Sequence, residues 1–304
     1  MDNRRISVII VSYNNQDVIE DCLCSLWDQN DIGEDLEVIV VEQSDTDQIY
    51  QALTEKFPDF TILRAENRGF GAGNNTGAEK ATGDILFFLN PDTVLVEPVF
   101  GFVREQFQKD ATLGLAGLHL TGKNGENISY NMLFPYGLKP RLTHVLCRKM
   151  DRFLSKKMYI EGADLIFRRE AFEKAGKFDE AIFMYGEEAD LCHRLHRTGY
   201  SVRYFPDKKI RHLQGSCTPD RYPKVFGKQL QSFLYICRKN GFDGPKWLRR
   251  ELRYQKFIYR IMRLLGRKES AILAADLAKA LRDAESGGTT DLRAPGSLRR
   301  NSDE

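Results

Sequence analysis

A carboxylate stands directly behind a strongly apolar segment at Asn90-Pro91-Asp92-Thr93. Carboxylate oxygens are ligands for hard divalent cations, and such a cation could bridge Asp92 to the oxygens of a diphosphate. The structural alternative is that Asp92 only caps the turn after Pro91, since Pro-Asp pairs are frequent in turns. The motif by itself leaves both interpretations open.

Three acids fall within four positions at the start of a predicted helix: Glu187, Glu188 and Asp190. Acids in a first helical turn often do no more than stabilise the helix dipole. The helical spacing places Glu188 on the side of Leu191, which faces the predicted core. The same spacing predicts that Glu187 and Asp190 share a solvated face of the helix with Arg194. An inward carboxylate beside other carboxylates should have a raised pKa, which suits a general base.

Two further segments are weaker signals. His212 follows a strand-like run, but a lone histidine is more often structural or exposed than a ligand. The segment NRGFGAGNNTG, residues 67–77, carries glycines that would let the backbone approach a phosphate closely. It is neither a GxGxxG fingerprint nor a Walker A loop, and we interpret it as a connector leading into a helix at 78–81.

The first 120 residues alternate strand and helix patterns, which predicts a largely parallel sheet with right-handed crossovers. Strand-like apolar runs lie at 6–11, 36–41, 60–63 and 84–89. Ligands of such sheets bind at the carboxyl ends of the strands. Polar segments at 12–15, 42–45, 67–75 and 90–92 lie at those ends. This edge of the sheet is therefore the predicted site.

Beyond this region, residues 121–158 are rich in Gly, Pro and Asn, and they predict a mobile loop region. Predicted elements then resume, with strands at 162–167, 200–205 and 209–213 and helices at 169–175, 187–197 and 222–239. The composition after residue 284 is typical of disorder.

The chain of 304 residues has 45 Lys plus Arg against 43 Asp plus Glu and is 42% hydrophobic. This balance excludes collagen, a wholly disordered chain and a disulfide mini-scaffold. No apolar run reaches about 18 residues, so we expect no transmembrane helix. The initial ISVIIV predicts a strand rather than a signal peptide. The six cysteines lack CxxC pairing, and we expect reduced, buried thiols of a cytoplasmic protein.

Charge is distributed unevenly along the chain. Residues 245–304 hold 14 Lys plus Arg and 8 Asp plus Glu, a net charge of +6, whereas the first 244 hold 31 against 35, a net charge of −4. An acidic body argues against nucleic acid as a partner. The segment Lys246–Lys268 carries nine cations among aromatic and aliphatic residues, which is typical of a helix on an anionic membrane surface. The alternatives are a helix that packs on its own domain or on a second subunit of a homodimer.

The chain resembles the family 2 glycosyltransferases, particularly the rhamnosyltransferase-like branch, in five segments taken in order: ISVIIVSYNN, EVIVVEQSDTD, NRGFGAGNNTGAEKATGDILFFLNPDTVL, GADLIFRREAFEKAGKFDEAIFMYGEEADLCHRLHRTGY and IRHLQGS. The resemblance implies a GT-A fold, an α/β Rossmann-like mixed, mostly parallel sheet flanked by helices. The implied catalytic domain covers 1–216, with a donor half at about 1–120 and an acceptor half at about 121–216. A basic helical extension at 217–283 and a disordered tail at 284–304 would follow.

The resemblance also implies transfer of a sugar from a nucleotide-diphosphate donor with Mg²⁺ or Mn²⁺. Asn90-Pro91-Asp92 occupies the place of the DxD motif, with Asp92 as a metal ligand, and His212 matches a late histidine that completes the metal and diphosphate site. Glu187 and Glu188 stand at the acid pair whose second member is usually the catalytic base. The remaining matched positions contact the nucleotide or the donor: Ser12, Tyr13, Glu42, Asn67, Gly69, Asn74 and Asn90.

Three departures from the family's pattern bear on these roles. Asn90 replaces the first carboxylate of the metal motif, which predicts a weaker affinity for the metal. Glu42-Gln43 replaces the more usual Asp-Asn or Asp-Asp at the contact to the nucleotide base. Glu188 replaces an Asp and is one methylene longer, so that either Glu187 or Glu188 could reach the acceptor.

The branch favours dTDP-rhamnose as the donor, with UDP-galactofuranose or a UDP-hexose as alternatives, and a single displacement would invert the anomeric configuration. The acceptor would be a saccharide or polyprenyl-linked saccharide in bacterial cell-surface polysaccharide synthesis, which suits a cytoplasmic enzyme at the inner face of the cytoplasmic membrane. A nucleotidyltransferase is disfavoured because the chain lacks a glycine-rich, basic N-terminal loop. A catalytically inactive nucleotide- or glycan-binding scaffold is the alternative of another class.

Overall fold

The computed structural model describes residues 5–132, 138–213 and 222–285. Contacts divide the chain into two compact units. Unit 1 comprises Met1–Leu133, Cys147–Glu180 and Glu187–Pro219, and unit 2 comprises Phe134–Leu146, Ala181–Gly186 and Asp220–Glu304. The predicted domain boundaries at residues 216 and 283 stay predictions. The predicted disordered tail lies outside the described residues, except that residues 284 and 285 end the last helix.

The described residues form strands and helices that we number in chain order. The strands are β1 (Ile6–Ser12), β2 (Leu36–Glu42), β3 (Thr61–Arg64), β4 (Ile85–Leu89), β5 (Thr93–Leu95), β6 (Leu113–Thr121), β7 (Tyr130–Met132), β8 (Met158–Ile160), β9 (Asp164–Arg168) and β10 (Ser201–His212). The α-helices are α1 (Gln16–Asp28), α2 (Gln48–Lys56), α3 (Phe70–Lys80), α4 (Phe100–Lys109), α5 (Leu138–Lys149), α6 (Arg169–Lys174), α7 (Glu187–Leu195), α8 (Tyr222–Asn240), α9 (Gly244–Leu264) and α10 (Lys268–Glu285).

A mixed, mostly parallel sheet forms the centre of unit 1. In the described part of the chain it has eight strands in the order β3-β2-β1-β4-β9-β6-β10-β5, and β7 pairs with β8 in a separate small sheet. The pairs β3-β2, β2-β1, β1-β4 and β6-β10 are parallel. Strand β9 is antiparallel to both neighbours, and β5 is antiparallel to β10. The predicted fold class is confirmed.

Strand β1 is buried at every position because hydrophobic layers cover both faces of the sheet. Val8 and Ile10 pack into one core cluster, and Ile9 and Val11 pack into the other. A strand that is buried on both sides has no polar face, which explains the unbroken β-branched run in the sequence. The register pairs Ser12 with Glu42, so the polar ends of β1 and β2 lie side by side.

The predicted connector at residues 67–77 is in fact mostly helical, because α3 begins at Phe70. Glycine has a low helix propensity, but here it allows a close approach between the helix and the sheet. A Cβ atom placed on Gly77 would lie 2.4 Å from Cγ2 of Ile9. The glycines therefore serve helix–sheet packing, and the prediction of a loop was wrong.

The prediction of a mobile loop at residues 121–158 was also wrong, since its described residues include β7, all of α5 and the first residue of β8. Tyr130, Met132, Cys147 and Met158 form a small buried cluster that orders this segment. The two strands predicted at 200–205 and 209–213 are one continuous strand, β10, with a register irregularity between Phe205 and Lys209.

Four cysteines have buried thiols, as predicted: Cys22, Cys147, Cys192 and Cys237. Cys24 is exposed, contrary to the prediction, because it lies on the outer side of α1, whereas Cys22 faces the core. Cys217 lies outside the described residues.

The helices α8, α9 and α10 form the main part of unit 2. Leu230, Leu248, Leu252, Ala278 and Leu281 make their shared core. Helix α9 begins at a true N-cap, because the Asp243 carboxylate accepts a hydrogen bond from the backbone N–H of Lys246 at 2.8 Å. Among the helices that the structure describes, none has the length and hydropathy needed to cross a bilayer.

We expect Gly77→Val to lower the free energy of unfolding by about 2 kcal/mol, because the added methyl groups overpack the contact between α3 and β1. The urea midpoint of unfolding measures this change. Lys80→Ala, at an exposed position of the same helix, is the control and should change the free energy by less than about 0.5 kcal/mol. Equal midpoints for the two variants would contradict the close helix–sheet packing.

Candidate active site

Asp92 and His212 lie in direct contact although 120 positions separate them in the chain. The distance between Asp92 Oδ1 and His212 Nε2 is 3.1 Å, and both side chains are buried. The pairing of β5 with β10 causes this contact, since His212 is in register with Thr93 and the Leu213 N–H donates to the Asp92 carbonyl at 2.9 Å. The structure thus places the two predicted metal-binding side chains together.

The orientation of this pair leaves a nitrogen lone pair free. A carboxylate oxygen only accepts hydrogen bonds, so a neutral His212 donates from Nε2, and its Nδ1 is then unprotonated. Within residues 5–132, 138–213 and 222–285, neither His212 Nδ1 nor the buried Oδ1 of Asn90 has a hydrogen-bond partner. Buried polar atoms without partners are costly and rare in proteins. These two atoms are suited to a ligand that binds beside Asp92.

Asn90 is the first residue of a tight turn behind β4. Its carbonyl oxygen accepts hydrogen bonds from the backbone N–H and the hydroxyl of Thr93, at 3.2 and 2.7 Å. Its own N–H donates to the Ala163 carbonyl at 3.1 Å. The backbone of the Pro-Asp motif therefore forms a turn, as the structural alternative predicts. This turn leaves the Asp92 side chain available as a ligand, because that side chain points to His212.

Glu187 is buried at the start of α7. Its Oε2 atom has no hydrogen-bond partner in the described part of the chain. Burial raises the pKa of Glu187 to about 7, and the negative charge of Glu161 acts in the same direction. A carboxyl group with a pKa near neutral pH is suited to accept a proton from an acceptor hydroxyl.

Glu161 is a site residue that the sequence analysis missed. Burial raises the pKa of Glu161, whereas the Asn131 amide, which donates to this carboxylate, and the positive charges of Arg148 and of His212 in its protonated form lower it. The charge of Glu161 thus interacts with both His212 and Glu187. The sequence signal was an acid between a short strand and Gly162, but this pattern is too common to identify a site.

Glu188 is also buried, against Gly162. Its charge contributes to the raised pKa of Tyr159, whose main cause is burial. The predicted solvated face with Glu187, Asp190 and Arg194 was wrong. Asp190 is completely buried and pairs with Arg194 at 2.8 Å, because α7 packs into the core and the Arg194 guanidinium also donates to the Lys177 carbonyl.

Ser12 and Glu42 are buried at the neighbouring ends of β1 and β2, where they bond to each other. The Ser12 hydroxyl donates to one Glu42 carboxylate oxygen, and the Ser44 N–H donates to the other at 2.6 Å. Glu42 therefore ties the two strand ends together. Tyr13 and Asp45 are among the exposed residues at this edge, and their hydroxyl and carboxylate oxygens are 3.4 Å apart.

The predicted donor-binding residues Asn67, Gly69 and Asn74 lie at the beginning of α3. Asn67 Oδ1 accepts a hydrogen bond from the Gly69 N–H at 3.2 Å, and Gly69 has a φ of 103°, which favours glycine. Asn74 is buried and donates to the Phe70 carbonyl, while its Oδ1 has no hydrogen-bond partner in the ranges that the structure describes. A polar ligand at this helix end would find an acceptor in Asn74.

The chain is similar to known proteins in sequence and in structure. Residues 7–176, more than half of the chain, match Glycosyl transferase family 2. The chain is 30% identical over 231 residues to a poly(ribitol-phosphate) beta-glucosyltransferase of Bacillus spizizenii W23, covering 68% of this chain and 35% of the relative. It is 24% identical over 252 residues to the rhamnosyltransferase WbbL of Escherichia coli K12, covering 77% and 93%. It is 26% identical over 251 residues to the glycosyltransferase YfnE of Bacillus subtilis 168, covering 66% and 62%.

Two solved structures share the fold at low sequence identity. The mannosyltransferase PcManGT from Pyrobaculum calidifontis, in complex with GDP-Man and Mn²⁺, has a TM-score of 0.57 and 21% identity over 95% of this chain and 77% of its own. GalNAc-T7 with UDP, GalNAc and Mn²⁺ has a TM-score of 0.58 and 14% identity over 77% and 48%. The chain spans about a third to two thirds of two of the sequence relatives and nearly all of WbbL. The family match and the shared fold together show that the chain belongs to glycosyl transferase family 2.

Proposed function

We propose that this glycosyltransferase moves a sugar from a nucleotide-diphosphate donor to a saccharide or lipid-linked saccharide, with inversion, in bacterial cell-surface polysaccharide synthesis. The observation that carries the proposal is the contact between Asp92 and His212, with the half-buried Glu161 interacting electrostatically with His212 and with the buried Glu187. This arrangement combines a cation-binding group, a free nitrogen lone pair and a proton acceptor. Donor activation and acceptor deprotonation need these three groups.

Asp92 and His212 would hold Mg²⁺ or Mn²⁺, and the buried Asn90 Oδ1, which has no hydrogen-bond partner in the described residues, fits a ligand at this site. In the described residues, no group of three or more His, Cys, Asp or Glu side chains is arranged around a metal position. Two protein ligands are sufficient where substrate phosphates and water complete the coordination, as is usual for Mg²⁺. When bound, the metal would neutralise the charge on the leaving nucleoside diphosphate.

The acid pair Glu187-Glu188 would supply the base. We propose that Glu188, the second acid, removes the proton from the acceptor hydroxyl as that hydroxyl attacks the anomeric carbon. Glu187 has the raised pKa and a carboxylate oxygen without a partner, which makes it the other candidate. Attack from the side opposite the leaving group inverts the anomeric configuration in one step.

The polar ends of the strands would bind the donor nucleotide and sugar. Tyr13 would offer an exposed aromatic surface to the nucleotide base, next to the hydrogen-bonded pair of Ser12 and Glu42. Asn67, Gly69, Asn74 and Asn90 would contact the diphosphate or the sugar. The similarity to WbbL supports dTDP-rhamnose as the donor, and UDP-galactofuranose or a UDP-hexose is the alternative.

The acceptor sets the place of reaction. If it is linked to a polyprenyl diphosphate, the enzyme works at the inner face of the cytoplasmic membrane.

The alternative of another class, an inactive nucleotide- or glycan-binding scaffold, is tested with the donor alone. Slow metal-dependent release of nucleoside diphosphate supports an enzyme, and donor binding without any release supports the scaffold.

We expect Glu188→Gln to lower kcat by about 10²-fold or more, the usual contribution of a general base, with the donor Kd nearly unchanged. Glu187→Gln should retain most of the wild-type rate. Release of nucleoside diphosphate in the presence of acceptor measures kcat, and calorimetry measures donor binding.

If Glu187→Gln lowers kcat more than Glu188→Gln does, Glu187 is the general base. The wild-type kcat/KM should then rise with pH through about 7, because the base must lose its proton and burial raises the pKa of Glu187 to about 7. Wild-type rates in both variants would contradict catalysis by a carboxylate of this pair.

We expect Asp92→Asn to raise the Mn²⁺ concentration that gives half-maximal rate by at least about tenfold. Mutation of a residue that only hydrogen-bonds to a metal ligand already lowers metal affinity by about that factor, and we propose that Asp92 binds the metal itself. The amide oxygen can still accept a hydrogen bond from His212, so the fold should be retained. The control is Glu97→Gln, which removes a carboxylate that binds Lys208 at 3.1 Å. An unchanged Mn²⁺ dependence of Asp92→Asn would refute the metal assignment.

A further inference from the structure

Helix α9 presents a row of side chains on the side opposite its packed face. Leu248, Glu251, Leu252 and Gln255 are buried in unit 2. The α9 outer stripe consists of Lys246, Arg250, Arg253, Phe257, Arg260 and Leu264, which are all exposed and recur every three or four residues. Two large apolar side chains interrupt the cations of this stripe, because Phe257 is 52% exposed and Leu264 is 87% exposed.

The charge of this surface has one sign. All nine Lys and Arg side chains between Lys246 and Lys268 are exposed. The single acid in this segment, Glu251, is buried and binds Arg141 at 2.7 Å. The positive charge of α9 is therefore directed outward, with no carboxylate of the same segment to balance it at the surface.

A second exposed apolar row belongs to the same unit. Leu142, Val145 and Leu146 of α5 are 59%, 53% and 58% exposed and lie on one side of the helix. Arg141 connects this part of α5 to α9, because its guanidinium lies 4.0 Å from the Tyr254 ring centroid in addition to binding Glu251. The apolar row of α5 and the α9 outer stripe are thus held in one unit.

We propose that the exposed row of α5 and the α9 outer stripe form a docking surface for a bilayer that contains anionic lipid. Cations at the headgroup level would meet lipid phosphates, and the leucines, Val145 and Phe257 would enter the boundary of the acyl chains. The long Lys and Arg side chains can keep their charges in the headgroup layer while the helix lies flat. A nucleic acid would match the cations but would leave the aliphatic side chains in water.

This surface is independent of the reaction proposed above, and its test uses vesicle flotation with the full chain. We expect wild type to float with vesicles of mixed phosphatidylcholine and phosphatidylglycerol but not with phosphatidylcholine alone. Arg253→Glu combined with Arg260→Glu should reduce binding at least about tenfold, because each cation near an anionic surface contributes to binding. Leu142→Gln combined with Leu146→Gln should also reduce binding, at unchanged net charge.

The matched control is Lys80→Glu combined with Lys123→Glu, which changes net charge equally at exposed positions of unit 1. It should float like wild type. Equal losses in the control and the α9 variant would overturn the surface assignment, as would no flotation of wild type. Nucleoside-diphosphate release and unfolding midpoints near those of wild type show that the variants are folded.

Two other partners give different results. If the surface joins two copies of the chain, wild type will sediment as a dimer that the Arg253 and Arg260 changes dissociate, without flotation. If it binds nucleic acid, a single-stranded RNA oligonucleotide will bind to wild type and flotation will be absent. Either result overturns the proposal.

Discussion

The contact between Asp92 and His212 is the constraint on which the site depends. It requires that β10, the last of these strands in chain order, lie between β6 and β5 in the sheet, with His212 in register with Thr93. Side chains alternate between the faces of a strand, so a slip of one residue would turn His212 away from Asp92. The irregularity of β10 between Phe205 and Lys209 lies before this contact, and the strand regains its pairing with β6 at Lys209.

Buried carboxylates are the second feature of the site. Glu161 follows β8, and Glu187 and Glu188 begin α7. Burial raises the pKa of Glu161 and of Glu187. A protein core rarely holds several acids without full compensation. Asp190, by contrast, forms an ion pair with Arg194 and has a structural role in α7. The ion pair therefore distinguishes an acid that holds the helix in place from the acids that are available for chemistry.

The two sides of α9 differ in charge. One side packs Leu248 and Leu252 against α8 and α10, and the other side carries the exposed cations. An acid on the outward side would have neutralised part of this charge, but Glu251 faces inward and binds Arg141. The helix therefore stabilises unit 2 with one face and leaves the other for a partner, as amphipathic helices do.

The sequence by itself determined the strands β1, β2 and β4, the polar ends that follow them, and the family. Those features are local: an unbroken apolar run, the residues after it, and the order of motifs. Tertiary structure alone decided that residues 70–80 form a helix, that residues 121–132 and 138–158 are ordered, and that Asp190 is buried. It also brought Glu161 within electrostatic range of His212 and Glu187. The reason is physical, because packing between residues distant in the chain outweighs the weak propensities of glycine and the surface preference of an acid.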